Sequence, residues 1–218
     1  MVAESLVNHR LFKGFSKDEL TELLPKIGGG AVKRFAKGEV VVYEGTKAKW
    51  IMPVLSGRLN VYDSGESGNR RLARTVEPGQ CLGATMFTGD YEYFPGMATA
   101  AEASEVVFLD IVKIRALQDQ AKYRRFFDNL FSLIAGNVLD CWQKLSLLSC
   151  RRAEDRVMLA LRWRSAGVGE RDFFVPFDRS EDFANYLGLT RTALSLAVSR
   201  LVRRGVIAHP GKGHFVIL

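Results

Sequence analysis

Apolar residues change their spacing twice along this chain, and each change marks a different kind of element. From about residue 5 to 27 they fall at Leu6, Leu11, Phe15, Leu20, Leu23 and Leu24, a helical pattern that Pro25 and the triplet Gly28-Gly29-Gly30 bring to an end. From 32 to 109 short β-rich runs take over: Val40–Tyr43, Trp50–Met52, Arg58–Tyr62, Leu72–Val76, Met97–Ala100 and Val106–Leu109. Glycines at 38, 45, 57, 65, 68, 79, 83, 89 and 96 separate them. Many short strands between regular turn residues predict an antiparallel barrel or roll.

From Ile111 the period is helical again. Tyr123–Ser149 holds no proline and only Gly136, and Phe131, Ile134, Val138, Cys141, Leu145 and Leu148 alternate in steps of three and four. At about 1.5 Å per residue this helix is roughly 40 Å long, with more apolar face than a small roll covers. Those six residues predict a dimer seam, the alternative being a long helix packed on its own chain. Two shorter helices follow, near Ala153–Arg164 and Glu181–Leu187, separated by Gly167, Gly169 and a β-like run Phe173–Phe177. Ser180 is the expected N-cap of the second, with Glu181 and Asp182 in its first turn, where the helix dipole favours acids.

The stretch from Ser180 to Leu201 reads as two helices crossing at a sharp turn. Ala184 is small enough for close crossing, Gly188 allows the turn, Leu189 pins it and Thr190 caps the next helix. Leu194, Val198 and Leu201 form one apolar face; Arg191, Thr192, Ser195, Ser199 and Arg203 form the opposite one. Beyond it, Gly205–His209 and His214–Ile217 flank Pro210-Gly211-Lys212-Gly213, a hairpin with a basic tip. This is the pattern of a winged helix-turn-helix that places one helix in the DNA major groove.

Charge supports that reading. The chain has 218 residues and a formal net charge of +7. Residues 151–218 carry 12 basic and 7 acidic side chains, and no acid follows Asp182. A compact basic patch is what phosphate neutralisation requires. Composition is globular, with 47% hydrophobic residues, 25% charged residues and a mean hydropathy of -0.01. No apolar run is long enough for a membrane span, and the N-terminus lacks the basic-then-apolar order of a secretion signal. Three cysteines without a CxxC pair argue against a disulfide framework and a zinc site, and favour the reducing cytoplasm. There is no P-loop, no nucleophile with a base at motif spacing and no metal motif, so the chain reads as a non-enzyme.

Three segments carry a family likeness: Phe35–Gly45, Leu55–Val61 and Pro78-Gly79-Gln80-Cys81-Leu82-Gly83. With the long helix and the winged helix after them, the chain resembles the Crp/Fnr family of transcription regulators. The resemblance implies an α+β protein in three parts. These are an N-terminal antiparallel β-roll of the double-stranded β-helix (jelly-roll) type over 1–120, a dimerisation helix over 121–149 and a winged helix-turn-helix over 150–218. It also implies a homodimer on double-stranded DNA with an inverted-repeat operator, RNA polymerase as a further partner, and control by a small-molecule effector in the roll.

Against the family pattern, Ala84 stands where cyclic-nucleotide members carry the ribose-binding glutamate, and Phe94-Pro95 where they carry the phosphate-clamping Arg-Ser pair. Cyclic AMP is therefore expected to bind weakly or not at all unless another residue, such as Arg58 or Arg74, supplies the cation. Three cysteines cannot supply the four thiolates of an iron–sulfur cluster. His9 and Cys81 are the residues able to ligate haem, although a lone N-terminal histidine is usually a surface residue. No resident cofactor is expected.

By alignment the effector pocket is Cys81, Met86, Phe87, Tyr91, Tyr93, Phe94 and Met97 from the roll, with Val138, Cys141 and Trp142 from the long helix. This wall suits an apolar or aromatic molecule, or else these side chains simply fill the roll. The DNA-binding set is Thr190, Arg191, Thr192, Ser195, Leu196, Ser199, Arg203, Arg204 and Lys212. Thr192 and Leu196 replace the family's usual glutamate and second arginine, so the operator is expected to differ from the family's best-known site. A thiol redox sensor on the same scaffold, reacting at Cys81 or Cys141, is the alternative.

Overall fold

The computed structural model describes residues 2–64, 70–89, 92–175, 177 and 179–218, which form two compact units, Met1–Val138 and Leu139–Leu218. Tyr91 and Pro176, and with them Gly65 and Gly68, lie outside the described residues.

The first unit opens with α1 (Val2–Leu6), a single 3-10 turn at Arg10–Phe12 and α2 (Lys17–Lys26). The helical run expected from 5 to 27 is thus broken in the middle. His9 ends the first piece by accepting a hydrogen bond from the Leu11 amide at its Nδ1, 3.1 Å away. Ser16 starts the next with a full capping box: its Oγ accepts from the Glu19 amide and the Glu19 carboxylate accepts from the Ser16 amide. Pro25 does not close α2 but sits inside its last turn.

The roll is built from β1 (Val32–Phe35), β2 (Val40–Val42), β3 (Trp50–Ser56), β4 (Leu59–Ser64), β5 (Arg70–Val76), β6 (Cys81–Leu82), β7 (Met97–Ala100), β8 (Ser104–Val107) and β9 (Leu109–Asp110). One sheet runs β1-β8-β3-β6, with β9 also on β3; the other runs β2-β7-β4-β5. All pairings are antiparallel. The core lies between them, with Ile51, Val54 and Val106 from the first sheet and Leu59, Val76 and Ala98 from the second, all shielded from solvent. Gly57 shows why a turn here needs glycine. Its φ is +74°, and a Cβ would lie 2.4 Å from the Ala103 carbonyl oxygen and 2.3 Å from Ser104 Oγ. The expected strand Val106–Leu109 is split at Phe108, whose ring meets Phe35 and Trp50.

After α3 (Ile111–Arg115), α4 (Arg124–Ser149) begins against the N-terminal segment. Asn129 donates from Nδ2 to the carbonyls of Leu11 and Lys13, and Phe126 packs on Phe12. Of the predicted seam, Phe131, Val138, Cys141 and Leu145 are exposed, and so are Leu139 and Trp142. Ile134 differs: it is partly buried and packs on the roll core. Leu148 is exposed as well, although its Cδ2 lies 2.8 Å from where a Cβ on residue 188 would stand.

The second unit contains α5 (Ala153–Val168), β10 (Asp172–Phe174), α6 (Ser180–Tyr186), α7 (Arg191–Arg203), β11 (Ile207–Gly211) and β12 (His214–Ile217). The hairpin is wider than expected, a sheet in the order β10-β12-β11. Ser180 is not the N-cap of α6. It is the first helical residue, and the cap position falls to Arg179, which makes no side-chain cap bond.

His9 is buried rather than exposed, and both ring nitrogens are occupied: Nε2 donates to the Gln80 carbonyl while Nδ1 caps the 3-10 turn. That leaves neither nitrogen for haem iron. Burial lowers its pKa from 6.5 to about 4. The unfolded chain therefore takes up a proton between those values that the folded chain does not, so His9 costs no stability above pH 6.5 and destabilises progressively as pH falls towards 4. At full extent the loss is about 3 kcal/mol. Urea titrations of the wild type and His9→Gln between pH 7 and 4 should show the slope in the wild type and its flattening in the variant.

Candidate nucleic-acid interface

The basic face of the second unit is assembled from the turn outward. α6 ends at Tyr186; the Gly188 amide donates to Asn185 and the Leu189 amide reaches back to Ala184. Gly188 has φ +62°, a backbone conformation that L side chains rarely adopt, and a Cβ there would oblige the Leu148 side chain to shift. Thr190 then caps α7, its Oγ1 accepting from the Ala193 amide at 3.1 Å. Leu194, Ala197, Val198 and Leu201 bury one face of α7, and Ala184 is buried on α6.

The remaining face is open. Thr190, Arg191, Thr192, Ser195, Leu196, Ser199, Arg203, Arg204 and Lys212 are all exposed. Arg191, Thr192, Ser195, Leu196 and Ser199 line one shallow hollow along α7. Arg191, Ser195, Ser199 and Lys212 also border a cavity of about 240 Å³ floored by Phe183, Leu194 and Phe215. The helix start and the hairpin tip thus face a common space. Basic side chains that the sequence grouped with them have other employment. Arg200 holds Glu154 at 2.8 Å, tying α7 to α5 and lowering the Glu154 pKa, and His214 meets Asp172 at 2.5 Å.

Two positioning residues carry no sequence signal. Arg156 on α5 donates through Nη1 to the carbonyls of Leu187 and Gly188, and through Nη2 to those of Leu148 and Cys150. Lys144 donates to the Tyr186 carbonyl and lies over the Tyr186 ring, 4.3 Å from its centre. Both place a cation at the C-terminal end of α6, where its carbonyls carry partial negative charge. Their partners are backbone atoms, which no residue pattern marks.

The residues expected to form the effector wall differ in burial. Cys81, Met86, Phe87 and Phe94 are buried in the roll core. Phe87 faces Phe127 at 5.9 Å, and its carbonyl accepts from Arg115. Met97 is buried too, but lies outside the main core cluster to which Ala98 and Ala100 belong, and borders a hollow with Tyr43 and Tyr62. Tyr93 is 54% exposed, and Val138, Cys141 and Trp142 are exposed on α4. Trp142 belongs to the apolar stripe with Val138 and Leu145, one helical turn from each. Among the described residues no group of three or more His, Cys, Asp or Glu is arranged for a metal ion, and no helix is long and apolar enough to cross a membrane.

A cyclic nucleotide-binding domain model matches residues 32–121. Transcriptional activator protein Anr of Pseudomonas aeruginosa is 26% identical over 181 residues, covering 81% of this chain and 72% of that protein. The anaerobic regulatory protein of Haemophilus influenzae is 27% identical over 186 residues, covering 83% of this chain and 70% of its own. The solved structure of FixK2 from Bradyrhizobium japonicum superposes with a TM-score of 0.70 at 20% identity, covering 86% of this chain and 91% of that one.

Removing the Arg156 guanidinium leaves four carbonyls to find other donors. Arg156→Met is expected to lower unfolding free energy by about 3 kcal/mol, and Arg156→Lys, a single point donor, to recover less than half of that. Urea unfolding followed by circular dichroism checks both values.

Proposed function

We propose that this chain, similar to Crp/Fnr-type transcription regulators, is a DNA-binding transcription regulator of that family and acts as a homodimer on an inverted-repeat operator, with α7 of each protomer in a major groove. The observation that carries the reading is the common space between the exposed start of α7 and the tip of the β11–β12 hairpin, bordered by Arg191 and Lys212. Arg191 stands at the helix N-terminus, where a guanidinium reaches guanine O6 and N7. Ser195 and Ser199 follow on the same face, Leu196 is placed to meet a thymine methyl, and Arg203, Arg204 and Lys212 serve phosphates. RNA polymerase is the proposed protein partner, and the roll the proposed effector site.

Dimerisation is supported by the exposed apolar stripe on α4, where Val138 is 61% and Trp142 67% accessible in the single protomer. The thiol-sensor reading has little behind it. Cys81 is enclosed, and burial pushes its pKa up, which disfavours the reactive thiolate. Cyclic AMP is expected to bind poorly, since Ala84 and Phe94-Pro95 offer neither the acid nor the arginine.

Val138→Asp puts an unpaired charge into the seam and should convert a micromolar dimer into a monomer, as read by analytical ultracentrifugation without DNA. A wild type that sediments as a monomer overturns the seam.

Arg191→Ala should cost about 1–3 kcal/mol on the specific duplex and relax preference at one base pair per half-site. Lys212→Ala should weaken specific and scrambled duplexes alike and make the salt dependence shallower by about one unit for each phosphate no longer neutralised. Anisotropy titrations at several salt concentrations separate the two; equal losses on both duplexes for Arg191→Ala would make it a phosphate anchor.

A further inference from the structure

The cavity beside α7 has a floor that DNA reading does not use. It lies wholly within the second unit and has a volume of about 240 Å³. Phe183 of α6, Leu194 and Val198 of α7 and Phe215 of β12 close that floor, each at most 9% exposed. Flat rings edge it. Phe177 stacks on Phe183 at 5.3 Å and 22°, and the His209 ring lies 4.6 Å from that of Phe215. Phosphate and base-edge contacts are made chiefly by polar groups at the surface, and double-stranded DNA is too thick to enter such a space.

Size and lining set the ligand class. A cavity of ~150 Å³ lined by apolar side chains takes one benzene ring, so this one has room for a ring and a small polar group. Aromatic side chains favour a planar ring, which packs on them offset or edge-on. Charge comes from the border. Arg191 at the start of α7 and Lys212 at the hairpin tip are both exposed there, and no acid lines the cavity among the described residues. The third basic residue of the lining, Arg179, is held by Asp182. A guanidinium meets a carboxylate or a phosphate with two parallel N–H donors, and an ammonium adds a second positive charge.

We infer that this cavity binds a small aromatic acid, its ring on the Phe183–Phe215 floor and its carboxylate or phosphate on Arg191 and Lys212. The bound acid keeps the same two cations from DNA and so lowers operator affinity. That regulatory part rests on the reading of this face as the DNA interface; the binding of the acid does not.

Calorimetry on the full chain without DNA, using benzoate, phenyl phosphate, neutral benzamide and acetate, tests the site. Benzoate and phenyl phosphate should bind, and the tighter of the two identifies the acid group. Benzamide lacks the charge and acetate lacks the ring, and each should bind at least about tenfold more weakly. Arg191→Met should weaken both acids by at least the same factor. So should Ser199→Phe, which sets a bulky ring at an exposed border position and leaves the buried face of α7 intact. Thermal unfolding at the wild-type temperature checks that both variants fold. Operator affinity, read by anisotropy with acetate at equal ionic strength as the control, should fall about tenfold when free acid reaches about nine times its own Kd. The inference is overturned if neither acid binds at millimolar concentration, if acetate or benzamide binds as tightly as they do, or if both variants bind them unchanged. Absence of acid binding together with operator binding that depends on Arg191 overturns it and leaves the interface standing. Acid binding that both variants lose, with operator affinity unaltered by the acid, upholds the site and removes α7 from the DNA interface instead.

Discussion

Two helix ends and a turn in the second unit meet at one guanidinium. The last turn of α4 and the end of α6 both present carbonyls that no intrahelical amide can satisfy. Arg156 takes two from each side: Leu148 and Cys150 from the first, Leu187 and Gly188 from the second, at 2.9–3.3 Å. An aliphatic side chain would leave those oxygens to water, and a lysine would serve them with a point charge lacking the planar fork. The angle at which α7 leaves residue 188 depends on the same cluster, because the Gly188 carbonyl is one of its acceptors. Lys144 reinforces it from α4 by donating to Tyr186, and the Glu154–Arg200 pair holds α7 to α5. The exposed side chains of α7 thus stand on a frame set largely by cations and carbonyls.

The α6–α7 turn and α7 are legible in the sequence because their signals are local. A cap at Thr190, a permissive Gly188 and a 3.6-residue apolar face through Leu194, Val198 and Leu201 all lie within one short stretch. The roll is legible as a class, less so in detail. β1 presents Lys33 and Arg34 to solvent at a sheet edge and β6 has only two residues, so neither produces an apolar run. Spacing alone cannot tell which residues of β7 join the main core cluster; register against β4 sets Ala98 opposite Val61 and Met97 opposite Tyr62. His9 reads as a surface residue because the carbonyl that receives its proton, on Gln80, lies 71 residues away. Arg156 is invisible for a related reason, since backbone acceptors have no residue type.

The long helix shows how one pattern can serve several surfaces. Its heptad-like positions predict a single seam. Instead Ile134 packs partly buried against the roll core, and Trp142 joins Val138, Leu145 and Leu148 outside. A 3.6-residue period identifies a face but not how many neighbours share it. Only the burial of each position separates those that fold the chain from those left for a partner.

Three acids of the second unit are paired with its own cations. Glu154 holds Arg200, Asp182 holds Arg179 and Asp172 holds His214. The open face around Arg191 and Lys212 has no carboxylate after residue 182 to push back against a phosphate. On the proposed reading, attraction to phosphate along this stretch is not offset by acids, so the protein would also hold ordinary chromosomal DNA, sliding and hopping along it. The genome would then act as its reservoir, and occupancy of any one promoter would follow the ratio of protein copies to bulk DNA more than the number of molecules free in solution.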